Sequence, residues 1–237
     1  MKTLKDFSLE LGRLLQSRLT WLVLLLTAIS PVAGLTLYKS ATAETMLSMY
    51  LANPAIAGGV VSGILFGLLT VYELDRSGRS RVDILMNAIV SPMRSALIRM
   101  LALIITAMLG LILTMLVWLP VTFTQAGAVL DMTNYCLAYL IFMGLALPCS
   151  ILAAAACYQF TQRADLSIVL FAAFAGLSLT IWANNWQLCW LNPCVWALSD
   201  DFSNFRLYRS VAYMRLTWLA ALLGLWLISW LGVRRYG

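Results

Sequence analysis

Residues 100–122 read MLALIITAMLGLILTMLVWLPVT, 23 positions without one charged side chain. A helix rises 1.5 Å per residue, so this stretch is long enough to cross a bilayer core of about 30 Å. Five further apolar stretches qualify on the same ground: Leu19–Tyr38, Ala55–Tyr72, Tyr135–Phe160, Leu166–Trp186 and Leu216–Val233. The expected fold is a single all-α transmembrane domain over residues 1–237, with six spans. Composition agrees. Hydrophobic residues make up 62% of the chain and charged residues 11%, against about 25% charged in a soluble domain. A water-soluble globule of this make-up would expose large apolar patches.

The orientation follows from lysine and arginine, which favour cytoplasmic loops. Of the 16 basic residues, twelve fall on one side: Lys2, Lys5, Arg13, Arg18, Arg76, Arg79, Arg81, Arg94, Arg99, Arg163, Arg234 and Arg235. The other side holds Lys39, Arg206, Arg209 and Arg215. Both termini are therefore expected in the cytoplasm, in a multi-pass protein of the plasma membrane. The first span starts near residue 19 and is too long for a signal-peptide core, so it reads as a retained helix.

None of the charges falls inside a predicted span. An ion-coupled carrier usually keeps an intramembrane ionisable residue, so this pattern argues against proton or sodium coupling. There is no histidine, which removes the side chain that most readily titrates near neutral pH. The five cysteines, at 136, 149, 157, 189 and 194, form no CxxC. No metal site, no catalytic residue and no nucleic-acid partner is expected.

Three segments are more than spans. Residues 1–18 place Leu4, Phe7, Leu11, Leu14 and Leu15 at helical spacing with charges between them, which predicts an amphipathic helix in the membrane interface. Residues 73–99 hold five arginines and three acids, more than a connector needs. Asp83–Ile89 is predicted as a short amphipathic helix, stopped by Ser91-Pro92. Ser91 caps the next helix, with Pro92 in its first turn. The loop reads as a cytoplasmic docking surface for a soluble partner, or as a plain positive-inside loop. Residues 184–205 are Trp-rich and broken at Asn192-Pro193, which suits short re-entrant or interfacial helices covered by protein. Trp186, Trp190 and Trp196 suit the interface belt. Cys189 and Cys194 either form a disulfide or stay as neighbouring thiols.

Span 2 carries Gly59, Gly63 and Gly67 at four-residue intervals. Small residues so spaced let two helix backbones approach closely, whether the neighbour is in the same subunit or in a second copy. Pro31 and Pro148 are expected to bend their helices.

Taken together, the interface helix, the six spans, Glu73, Arg76 and Gly78 after span 2, and Ser91-Pro92-Met93-Arg94 before span 3 resemble the permeases of the type-2 ABC exporter family. The resemblance covers nearly the whole chain and is architectural more than residue-exact. It implies an exporter of a hydrophobic or amphiphilic substrate, working with a second permease copy or paralogue and with membrane lipid. It implies a coupling helix between spans 2 and 3, where separate ATPase subunits dock. The docking residues would be Glu73, Asp75, Arg76, Gly78, Arg79, Arg81, Asp83, Pro92 and Arg94. Spans 2 and 5 would line the substrate path, with Thr70, Ser178, Thr180, Asn184 and Asn185 as its polar groups. The chain has no GxxxxGK[ST] loop, so ATP and Mg²⁺ would be held by the partner and no cofactor by this chain. The competing readings are an accessory or assembly protein without transport, and a lipid-modifying enzyme using Asp200-Asp201.

Overall fold

The computed structural model describes residues 2–41, 45–79, 92–195 and 197–236. Among them there is no strand. Nine α-helices follow one another among the described residues: α1 Lys2–Gln16, α2 Arg18–Ile29, α3 Val32–Thr36, α4 Asn53–Arg79, α5 Pro92–Ala126, α6 Met132–Ala138, α7 Ala146–Thr161, α8 Ala164–Leu179 and α9 Phe205–Tyr236. Five helical stretches among the described residues are long and apolar enough to cross a membrane: Arg18–Thr36, Ser48–Arg76, Met93–Val129, Met132–Thr161 and Phe205–Ser229. The chain is thus all-helical with the make-up of a multi-pass membrane protein.

The breaks between helices have local causes. Pro31 lacks an N–H, and the chain turns between α2 and α3 at Ser30-Pro31. Ser30 Oγ donates to the Thr27 carbonyl at 2.7 Å. Pro54 and Pro148 each follow a wide π-turn, Ser48–Ala52 and Tyr139–Gly144. The widened turns re-register carbonyls that a proline cannot serve. Gln162, at φ 51°, ends α7 in the left-handed conformation.

Helix α4 is the centre of the bundle. It packs on α2, α3, α7, α8 and the π-turn before α7. Its glycines face this same chain. A Cβ on Gly59 would run into the Phe142 carbonyl, and one on Gly67 would enter the Phe171 ring. At Gly63 a Cβ would lie 2.6 Å from Ser150 Oγ and 2.9 Å from Leu191 Cδ1. The ridge is therefore filled from within the subunit.

Several boundaries differ from the sequence reading. Helix α4 runs on to Arg79 instead of ending near Tyr72, and α9 starts at Phe205 instead of near 216. The fifth expected span, 166–186, is helical only to Leu179. At 16 residues, α8 is about 24 Å long, short of the bilayer core. Phe174 explains the early stop. Eight more helical residues would carry Trp182 about 12 Å along the axis, yet its ring centroid lies 6.0 Å from that of Phe174. Trp190 stacks on the same ring at 5.0 Å. The chain folds back at Thr180 to make these contacts.

The segment after α8 holds turns and bends, and no helix among its described residues, which corrects the expected re-entrant helices. It is nevertheless packed into protein. Cys189, Trp190, Leu191 and Leu198 are fully buried. Trp190 therefore belongs to the core and not to an interface belt, while Trp186 is exposed; Trp196 lies outside the described residues.

Candidate functional site

Two places carry charge into the bundle, one at each end. At the end that holds the N-terminal helix, α1 lies against α5 and is tied to the tips of α4 and α5. Arg13 Nη2 sits 2.8 Å from Glu73 Oε2 and 2.7 Å from Glu10 Oε1. Arg76 Nη1 is 3.5 Å from Glu73 Oε1. Arg94 Nη2 donates to Asp6 Oδ2 at 2.9 Å, and Arg99 Nε stands 3.9 Å from Glu10. Burial alone would lower the pKa of Arg13, but Glu10 and Glu73 more than offset it and hold it above its ordinary value. The end of α4, the start of α5 and α1 are thus joined in one electrostatic bracket.

Part of the expected docking set is engaged within the chain itself. Glu73 is only 4% exposed, and its contacts are ones of charge, since neither oxygen is aligned for a hydrogen bond. It is an internal tie. Arg94 is likewise engaged by Asp6. Asp75 is half-buried on the last turns of α4, and Arg76 beside it is exposed. Gly78 and Arg79 close α4, and Pro92 opens α5 as its first residue. Arg81, Asp83, the expected coupling helix 83–89 and Ser91, the expected cap of the helix after it, lie outside the described residues.

Exposed ion pairs contribute about 0–1 kcal/mol, while removing one partner of a buried pair costs several times more. Arg13→Glu, which sets two carboxylates against each other beside a buried Glu73, should therefore destabilise the chain by about 2 kcal/mol. It should also make α1 an early site of proteolysis. The swapped pair Arg13→Glu with Glu73→Arg should restore most of the thermal stability in detergent.

At the opposite end, Arg215 sits on the third turn of α9 and is completely buried. Sequence reading placed it outside the spans; it lies within the Phe205–Ser229 stretch. Its Nη2 donates to the Leu191 carbonyl at 2.9 Å. Nε and Nη1 have no hydrogen-bond partner among the described residues. The Leu191 N–H donates to Ser178 Oγ at 3.0 Å, and Trp218 Nε1 donates to the Gln187 carbonyl at 2.7 Å. The irregular segment is therefore clasped by α8 and α9 through both groups of one peptide residue. On its other flank, Thr45 Oγ1 donates to the Leu198 carbonyl at 2.6 Å and the Leu198 N–H donates to Ser48 Oγ at 2.8 Å. Asp200 accepts the backbone N–H groups of Met46 and Leu47, each at 2.9 Å. Asp200 is thus a cap across two segments, and no cluster of three metal-ligating side chains occurs among the described residues.

Of the expected path residues, Thr70, Ser178, Thr180 and Asn185 take part in local contacts. Thr70 is buried in α4 and donates to the Phe66 carbonyl at 2.7 Å. Ser178 holds the irregular segment. Thr180 is exposed and donates back to Gly176. Asn185 is spent on a turn, accepting from the Gln187 N–H at 3.1 Å. Asn184 faces a cleft of about 270 Å³ that it shares with Tyr38, Lys39, Ser40, Asn192 and Cys194. Cys189 and Cys194 are free thiols. Burial pushes the Cys189 thiol above its ordinary value, so it is a poor thiolate.

Neither charged contact was visible in the sequence as a pair, because Arg13 and Glu73 are 60 positions apart and Arg215 reaches a backbone carbonyl. The one usable signal was Arg215 itself, a basic residue embedded in an otherwise apolar helical run. Comparison with protein-family models, with curated proteins and with solved structures finds no match.

Proposed function

We propose that this chain is the membrane-spanning permease subunit of an ATP-driven exporter in the plasma membrane, with six crossings, α8 being the short fifth, and both termini in the cytoplasm. It acts as a pair with a second copy or a paralogue and moves a hydrophobic or amphiphilic substrate outward. Separate ATPase subunits dock on the segment between α4 and α5. The observation that carries this reading is the electrostatic bracket. Arg13–Glu73 and Arg94–Asp6 join α1 to the two helix ends that flank residues 80–91. A pull on that segment is therefore delivered to α4, the central helix, and to α5 and α1 together.

The charge pattern supports an external energy source. All ten acids lie outside the middles of the apolar stretches. The buried cation, Arg215, stays protonated under physiological conditions, so it does not load and unload protons as a coupling carboxylate would.

Arg79→Glu combined with Arg81→Glu should release the ATPase from the permease during size-exclusion chromatography, with the permease still inserted and folded. Retention of the complex by this variant would overturn the docking proposal. A wild-type chain that isolates without any ATPase would instead be an accessory protein.

A further inference from the structure

Helices α8 and α9 both pack on α7 but scarcely on each other. They leave a cleft of about 260 Å³ that offers no polar surface. Ala153, Ala156 and Cys157 of α7 form its floor, and Phe174 and Leu170 of α8 face Leu225 of α9 across it. The small floor residues create the depth. At one end the cleft is stopped by aromatic rings, because Phe174 is stacked on Trp190 and edge-packed on Trp218. At the other end it runs towards the turn between α7 and α8, where Phe160 is 59% exposed. Arg163 stands in that turn, exposed, and no carboxylate pairs with it among the described residues. Because α7 and α9 run in the same sense, the last turn of α9 brings Arg234 and Arg235 to the same end of the bundle.

We propose that this cleft is a binding site for an anionic phospholipid, with one acyl chain between α8 and α9 and the phosphate at Arg163. Two features select this occupant. The walls are apolar and face the bilayer: Ile168, Val169 and Ile228 beside the cleft are all exposed, so hydrocarbon chains are what surrounds it. The positive charge at the open end matches a phosphate at headgroup depth, as in other basic clefts between transmembrane helices. The site depends on the bilayer seating of α7 to α9 and not on export, so it stands or falls separately from ATPase docking.

The test uses the full chain in phosphatidylcholine vesicles containing a small fraction of phosphatidylglycerol with a photoreactive group in one acyl chain. Cross-links should concentrate on residues 153–160 and 222–225. They should exceed those on the lipid-facing stripe Leu101, Ile105 and Leu109 of α5. Unlabelled phosphatidylglycerol should compete and phosphatidylcholine should not. Arg163→Gln should lower labelling in the cleft roughly fivefold, and Leu225→Trp, which fills the cleft from its exposed rim, should lower it without the charge change. Even labelling of all lipid-facing helices, equal competition by phosphatidylcholine, or unchanged labelling in Arg163→Gln would each overturn the proposal. So would copy-to-copy cross-linking through Cys157 by a bis-thiol reagent in the same vesicles, which would give the cleft to a second subunit.

Discussion

Gly59→Ala should destabilise the isolated subunit by about 3 kcal/mol, at the upper end of what overpacking costs. A single methyl suffices because the obstacle is backbone: the added carbon would meet the Phe142 carbonyl of the π-turn before α7. That carbonyl cannot swing aside as a side chain can. Gly63→Ala should cost less, since Ser150 Oγ and Leu191 Cδ1 are side-chain atoms. Gly176→Ala and Gly224→Ala meet nothing within 4 Å and should match or slightly exceed wild-type stability, because alanine favours helix over glycine. Thermal unfolding in detergent at protein concentrations that leave single subunits checks this order. If the glycine ridge instead joined two copies, Gly59→Ala would leave the lone subunit as stable as wild type.

Arg215→Glu should fail to accumulate as a folded protein, whereas Arg215→Met should fold. The glutamate would present a carboxylate to the Leu191 carbonyl, two acceptors face to face in a site with no solvent. A buried, unpaired charge of this kind costs 3 kcal/mol or more. Methionine keeps most of the apolar stem and removes a cation that has only one hydrogen-bond partner among the described residues. Relief of the buried charge should offset most of the lost hydrogen bond, leaving a net change within about 1 kcal/mol. Transport by Arg215→Met then separates two roles. Full activity makes the guanidinium a clasp for the irregular segment and nothing more; lost activity in a stable protein places it in the transport cycle.

Composition and run length reached most of the fold. Residues 100–122 could be nothing but a buried helix, and Pro92 marked the start of α5. The spacing of Phe7, Leu11 and Leu14 announced α1. What escaped was set by pairing across the chain. A cluster of charge at Glu73 to Arg76 reads as loop, because isolated helices with such residues end in water. Glu73 stays on a helix and out of solvent because α1 brings Arg13 to it. Arg215 seemed to end an apolar run for the same reason, since its partner is a carbonyl 24 residues earlier. The stop of α8 at Leu179 depends on three aromatic rings gathering on Phe174, and no periodicity encodes that. Of the charged cluster, the residues were legible as charges, and the burial of Glu73 was not.

The most direct measurement is MgATP hydrolysis by the assembly isolated through a tag on this chain, in vesicles whose proton and sodium gradients have been collapsed. An ATP-driven permease predicts hydrolysis that co-elutes with the chain at fixed stoichiometry. It predicts a fall to background when Arg79 and Arg81 are both changed to glutamate, with the chain still folded. Wild-type chain that elutes folded and carries no hydrolysis above background would contradict it, as would hydrolysis undiminished in that double variant.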